Sequence, residues 1–452
     1  MLQVRSNHIH MLLGLKNLKH RKWLLNIFVM CLVFGLSLYR LASTHAFNDY
    51  VINNDIYGTD AIDYQLMAVN FVNGHGLTSH FIEDYPHYKI GVGKTTLLDT
   101  FRPTGFFVEK FLLKMDLHVW HPPGYPLFMA FIYKFVGISP FYIKFIQVIL
   151  LALAASFMPL IGFLYWGELG VVSGMVASLV FINFCSPDPT LIRAEVLDVF
   201  LFSVWILLFT VWELMPRTIV TALLGIILGM TLLVKGTCVF IAFFFPIYLF
   251  FKLKNSSMAI KHALVFVFCV GVMVFPWSIY ASIKTHEPVL LCTQTMPDLL
   301  AGNNERSIQT GQWTPDAQMK NPNFLYSKLK AKKCSDFKML MVFFRQNYRH
   351  IPQLMTNKLR IAFPRGTSSV ICSMLFYYAA SFYFKRMNID QALVPVFPLM
   401  FFINILLITL ISYGRYIIVV PFIYPILMPG VYLPFYLARR FAFGPKTWYL
   451  FL

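Results

Sequence analysis

Acidic residues are scarce in this chain. Only 20 Asp and Glu stand against 38 Lys and Arg in 452 residues, and charge of either sign occupies 13% of positions. With 58% hydrophobic and 17% aromatic residues, that deficit excludes an ordinary soluble globular protein, in which roughly a quarter of residues are charged. The net charge of +18 is therefore a poor argument for nucleic-acid binding. In a lipid-facing chain, Lys and Arg anchor cytoplasmic loops and meet anionic head groups or phosphate-bearing lipids. Cysteine offers no disulfide framework. Cys31, Cys185, Cys238, Cys269 and Cys372 lie in or beside apolar runs as small hydrophobes, and only Cys292 and Cys334 share a polar loop in which they could pair.

Other signals are missing as well. No His or Cys spacing is diagnostic of zinc, although His75, His80, His87, His118 and His121 crowd one stretch. The run Gly91–Thr96, GVGKTT, lacks the earlier glycine of a nucleotide-binding loop, because Tyr88 holds that position. No internal repeat is evident, which weighs against the repeated halves of many transporters. The basic N-terminus (Arg5, Lys16, Lys19, Arg21, Lys22) leads into an apolar run long enough to span, so a retained first helix is expected and not a cleaved signal peptide.

What the chain does contain is long apolar runs. Spans are expected near Trp23–Thr44, Pro140–Trp166, Val171–Cys185, Glu195–Leu214, Thr218–Val234, Thr237–Phe251, Ala263–Ala281, Val370–Tyr383, Gln391–Ser412 and Tyr416–Ala438. The fold class is thus an all-α polytopic membrane protein with about ten transmembrane helices and two long extracytoplasmic loops carrying interfacial helices. Its expected organisation is a cytoplasmic N-terminus (1–22), an N-terminal membrane module (23–281) containing a first long loop (45–139), a second long loop (282–369), and C-terminal helices with a tail (370–452).

Short basic loops at Lys16 to Lys22, Arg217, Lys252 to Lys261, Lys385 with Arg386, and Arg439 with Arg440 fall on one side, the cytoplasm by the positive-inside rule. Asn255-Ser-Ser lies on that side, so as a glycosylation sequon it should be silent. Both long loops face the other way. In the first, Tyr125–Phe135 is too short to span and is expected in the interface. The second carries thirteen Lys and Arg against five Asp and Glu between Lys284 and Arg365, with helical spacing over Lys338–Ala362. That surplus fits either a solvated face or contact with an anionic lipid or phosphorylated ligand.

Several polar groups collect at the far membrane surface. An amphipathic helix from Thr59 to Asn73, stopped by Gly74 and Gly76, places Asp60, Asp63 and Tyr64 on one face, with Asp55 just before it. His121-Pro-Pro-Gly-Tyr-Pro fixes a rigid turn that holds His121 near the membrane. Ser186-Pro-Asp-Pro precedes Arg193, Glu195 and Asp198, acids costly at that depth unless paired or functional. Lys235 interrupts an apolar stretch at an outer turn, and Arg415 sits at the outer end of the last span. Each cation alone is explained by snorkelling. Together with the acids they indicate a site for an anionic lipid head group.

These residues resemble a family. The segments GTDAIDYQLMAVNFVNGHGL, HPPGYPLFMAFIYKFVG, LIRAEVLDVFLF and GMTLLVKGT occur in the order found in GT-C class glycosyltransferases, the branch of protein O-mannosyltransferases and the lipid A aminoarabinose transferase. So does the Pro276-Trp277 helix end, followed by Gly302-Asn303-Asn304. The chain departs from the pattern at Ala61, where an acid is common, and at His121, where Lys or Arg is common. The resemblance implies inverting transfer of a sugar from a polyprenyl-phosphate carrier to an acceptor on the extracytoplasmic face. It assigns Asp60 as general base with Asp55 as fallback, and Lys235, Arg415 and His121 to the donor phosphate. Asp63, Tyr64, Glu195, Asp198, Asn303 and Asn304 are then expected to position substrate. Membrane lipids are expected partners, nucleic acid is not, and metal dependence, sugar, acceptor and oligomeric state stay open.

Overall fold

The computed structural model describes residues 20–44, 59–78, 119–253, 255–312, 314, 325–332, 334–362 and 432. Asp55, Arg415, His80, His87, His118 and the three C-terminal spans expected from the sequence lie outside those residues, Tyr432 excepted. Among the described residues every regular element is helical. Four helices are long and apolar enough to cross a membrane, and shorter apolar helices accompany them. The chain is thus a helical, membrane-embedded protein.

Helix α1 (His20–Thr44) leans on α4 (Pro140–Val180), which continues into a π-helical turn at Phe181–Cys185. The two spans expected at Pro140–Trp166 and Val171–Cys185 form one helical run that reverses at Gly167, whose φ of 63° favours glycine. The arms of this hairpin touch backbone to backbone. A Cβ on Gly162 would lie 2.1 Å from Gly170 O, and Ser178 Oγ donates to Ala155 O at 2.7 Å. Small residues at such contacts replace the hydrophobic drive that lipid removes.

Next come α5 (Ala194–Leu214), α6 (Thr218–Val234), a 3₁₀ turn at Gly236–Cys238, α7 (Val239–Lys252) and α8 (Ser256–Thr285). Helices α5 and α6 are antiparallel: Trp205 Nε1 donates to Leu224 O at 3.1 Å, and Trp212 Nε1 to Thr221 Oγ1 at 2.9 Å. Helices α6 and α8 rise in parallel, with Thr221 Oγ1 2.6 Å from His262 Nδ1 and Gly229 closed against Met273. An aromatic core of Trp205, Phe209, Trp212, Phe245 and Phe266 fills the space between them. The outward faces are also apolar. Phe28 and Tyr39 on α1 and Leu264, Phe268, Phe275 and Ile279 on α8 are exposed, an arrangement expected for lipid-facing helices. Asn255 acts as the N-cap of α8, its Oδ1 accepting from Ser257 N at 2.9 Å.

The bundle therefore has two ends. One gathers Glu213, whose carboxylate accepts from Tyr165 and Tyr248 and meets Lys252 Nζ at 3.5 Å. The other carries α2 (Thr59–Val72) and α3 (Gly124–Val136), packed on each other through Tyr64, Ala68, Tyr125 and Met129.

Beyond α8 lies a loop unit of short helices: α9 (Thr295–Gly302), α10 (Glu305–Thr310), α11 (Leu325–Ala331), α12 (Asp336–Gln346) and α13 (Ile351–Ala362). The single helical pattern read over Lys338–Ala362 is broken by a 3₁₀ turn at Tyr348–His350. Pro352 lacks the N–H that an uninterrupted helix would use there, so a new helix starts before it. Phe343, Tyr326, Met339 and Leu354 form the small core of this unit.

Candidate functional site

Asp60 and Asp63 stand one turn apart at the start of α2, where carboxylates also suit the helix dipole. The proline-rich turn brings His121 to them. Its Nε2 lies 3.4 Å from Asp63 Oδ2 and 3.9 Å from Asp60 Oδ1. The His121 side chain is only 2% exposed, and its Nε2 has no hydrogen-bond partner among the described residues, so these contacts are electrostatic and not aligned hydrogen bonds. Asp60 is half exposed and forms the open side of the cluster. Burial opposes protonation of His121, but Asp63, Asp60 and Asp298 outweigh it and raise the imidazole pKa above its ordinary value. Burial likewise raises the Asp63 carboxyl, an effect that His121 only partly offsets. Tyr64 is enclosed by the His121 ring at 4.8 Å and the Tyr125 ring at 5.0 Å, and burial pushes its phenol well above its usual range. It is a wall of the site and not a base.

A second charged pair adjoins the first. Lys235 Nζ lies 2.5 Å from Glu195 Oε1, joining the start of α5 to the end of α6. One turn further in, Asp198 is fully buried and accepts from Thr237 Oγ1 at 3.2 Å, while its other oxygen has no hydrogen-bond partner among the described residues. Lys235, forty positions along the chain, thus supplies a cation to Glu195. Tyr64 feels the charges of both Asp60 and Glu195, which links the two groups into one polar region.

Gly124 sets their spacing. A Cβ there would come 2.7 Å from the backbone carbonyl of Leu233 and 2.8 Å from Val234 N, directly before Lys235. Only glycine lets the His121 turn seat on the end of α6 without backbone movement. Gly124→Ala is expected to separate the His121 cluster from the Lys235 pair and lower any turnover the site supports by about ten-fold or more, with normal membrane insertion. Unchanged turnover in this variant would mean that the close contact does not matter.

Gln147 was not singled out from the sequence, although it is a lone amide in the apolar run of α4. It is fully buried, accepts from Tyr125 OH at 2.5 Å, and donates to Pro189 O and Leu191 O at 2.8 Å each. It thereby ties the 186–193 connection and α3 to the membrane bundle. Asp298 was also missed. It lies on α9, which Thr293 anchors to Val119 O at 2.9 Å, two residues before His121.

Asn303 and Asn304, expected to position substrate, have side chains fully buried in the loop unit. Asn304 Oδ1 accepts from Arg306 N, Ser307 N and Thr314 Oγ1, and its amide donates to Leu300 O and Ala301 O. Asn303 Oδ1 accepts from Lys358 Nζ at 2.7 Å, and its carbonyl from Tyr326 OH. Both amides are committed to the frame of the loop. Cys292 and Cys334 are free thiols. Among the described residues no cluster of three or more His, Cys, Asp or Glu is set to hold a metal ion.

Comparison of the chain with protein-family models, with curated proteins and with solved structures finds no match. The functional reading therefore rests on the geometry and chemistry of the site.

Lys358 allows a test of the loop unit itself. Burial lowers its amine pKa to about 7. Between that value and the unfolded value near 10.5, the unfolded state holds a proton that the folded state lacks. Stability of the unit should rise with pH through that window, by up to about 5 kcal/mol, and be flat below it. Protection factors of the amides of residues 300–310 and 351–362, taken against the intrinsic exchange rate at each pH, should rise accordingly. In Lys358→Met that dependence should vanish, and its persistence there would assign it to another group.

Proposed function

We propose that the chain is a membrane glycosyltransferase of GT-C type. In this reading it moves a sugar, with inversion, from a polyprenyl-phosphate carrier to a hydroxyl of a lipid, glycan or protein. The observation that carries the proposal is the His121 imidazole, buried without a hydrogen-bond partner beside two carboxylates, adjacent to the Lys235–Glu195 pair at one end of a membrane bundle. An acceptor hydroxyl loses its proton as it attacks the anomeric carbon, and a half-exposed carboxylate is suited to take it. We assign that role to Asp60, with Asp55 as the alternative. The bond that breaks joins the sugar to a lipid phosphate, so cations must balance the charge left on that phosphate. Lys235, Arg415 and a protonated His121 are assigned to it. Asp63 keeps His121 protonated and oriented, and Glu195 and Asp198 hold Lys235 and Thr237 in place.

The proposed topology has about ten spans, with the short basic loops in the cytoplasm and the site on the extracytoplasmic face, in a bacterial inner membrane facing the periplasm. One feature favours a second reading, a transporter or flippase of lipid-linked sugars. Lys235 and buried Asp198 flank a break between two short apolar helices, a placement also used at transport sites. Proteoliposomes separate the two. Covalent incorporation of labelled sugar into acceptor supports the transferase, and flux of intact labelled donor without incorporation supports the transporter. Comparing lipids and glycans of cells with and without the chain would then identify the acceptor.

For the transferase, the raised pKa of His121 gives a pH dependence. The imidazolium is present at pH below that raised value and is lost as pH climbs through it. Transfer should therefore fall on the alkaline side, and His121→Gln should flatten that limb while lowering the maximum by about ten-fold. An unaltered alkaline limb in His121→Gln would assign the titration to another group.

A further inference from the structure

Part of the cationic surplus of the second loop lies along one of its helices and the turn after it. Helix α12 packs Met339, Leu340 and Phe343 inward, yet leaves Phe337 65%, Met341 54% and, just beyond its end, Tyr348 60% exposed. Phe337 and Met341 are four residues apart and lie one above the other on the outer side of the helix. Lys338, Arg345 and Arg349 are interleaved with them and exposed, and none has an anionic partner among the described residues. Arg349 Nε instead donates to Tyr348 OH at 2.9 Å, which holds that ring outward. The acid of this helix, Asp336, stands in its first turn, where the helix dipole favours it. Apolar rings projecting among uncompensated cations, on a loop unit that starts ten residues after the end of a membrane-length helix, match a surface lined by anionic head groups.

We propose that α12 and the following turn form an interfacial foot that inserts Phe337, Met341 and Tyr348 into an anionic lipid leaflet, with Lys338, Arg345 and Arg349 at the level of the lipid phosphates. This inference requires only that the chain is membrane-embedded and is independent of the proposed sugar transfer. The foot braces the loop unit over the membrane, and through α9 it bears on the strand-like contact between Thr293 and Val119 beside His121.

Hydrogen exchange of the full chain in lipid nanodiscs tests this. Amides of residues 337–350 should exchange at least ten-fold more slowly in discs containing phosphatidylglycerol than in pure phosphatidylcholine, and molar salt should remove most of the difference. The triple variant Lys338→Gln, Arg345→Gln, Arg349→Gln should lose the lipid dependence, each cation accounting for about five-fold. Phe337→Ser with Met341→Ser should lose it too, and since all five side chains face outward, exchange around Phe343 in pure phosphatidylcholine discs should be unchanged in both variants. Equal exchange in the two lipids would overturn the proposal. So would the same slowing produced by inorganic phosphate in phosphatidylcholine discs, which would make the face a site for a soluble anion.

Discussion

Asp60→Asn is expected to leave a folded, membrane-inserted protein whose proposed sugar transfer falls by about 10²- to 10⁴-fold. The substitution keeps size and polarity at a half-exposed position, so packing of α2 on α3 should be unaffected. What it removes is the carboxylate proposed to accept the proton at the open side of the cluster. Asp63→Asn should behave differently. Asp63 is buried against His121, so its loss withdraws the contact that keeps the imidazole charged. The alkaline limb of the rate should then move to lower pH, with a smaller loss at the optimum. Initial rates measured across pH for both variants distinguish the roles, and an equal loss in the two with identical profiles would show that the carboxylates act as one unit.

Gly162→Val should be the most damaging single change to the fold. Helix α4 returns on itself at Gly167, and at Gly162 and Gly170 the arms meet through their backbones. An added Cβ on either glycine would sit about 2 Å from the opposing carbonyl oxygen, a contact that no rotamer change relieves. The arms must separate, breaking the Ser178–Ala155 hydrogen bond and loosening α1 from its seat, at a cost of about 3 kcal/mol or more. Gly35→Ala on α1 is the matched control, because nothing lies within 4 Å of its added carbon. Thermal unfolding in detergent should show a large drop for Gly162→Val and little change for Gly35→Ala. Equal behaviour of the two would remove the hairpin contact from the account.

The membrane character was legible because apolar runs need only length and composition to be recognised. The helix at Thr59–Val72 was legible too, since its acids, its periodic apolar residues and the glycines after it agree; Gly74 and Gly76 both take positive φ. The break at Lys235 was visible as a charge in an apolar run. Partner choice was not visible. Lys235 meets Glu195 and His121 meets Asp63 across long stretches of chain, and Gly124 seats closely on α6 by lacking a side chain; no local pattern encodes such contacts. Gln147 carried a signal, a polar residue amid apolar ones, that spacing arguments pass over. Asn303 and Asn304 were read as ligand groups because a loop amide looks the same in sequence whether it faces a ligand or its own frame. Burial and hydrogen bonding separate those cases, and here both amides face inward.

The most direct test supplies purified chain in proteoliposomes with a polyprenyl-phosphate sugar and a membrane extract as source of acceptor. The account predicts release of polyprenyl phosphate matched by sugar of inverted anomeric configuration on an acceptor, with both signals falling together in Asp60→Asn. Undiminished release and incorporation in that variant would contradict it.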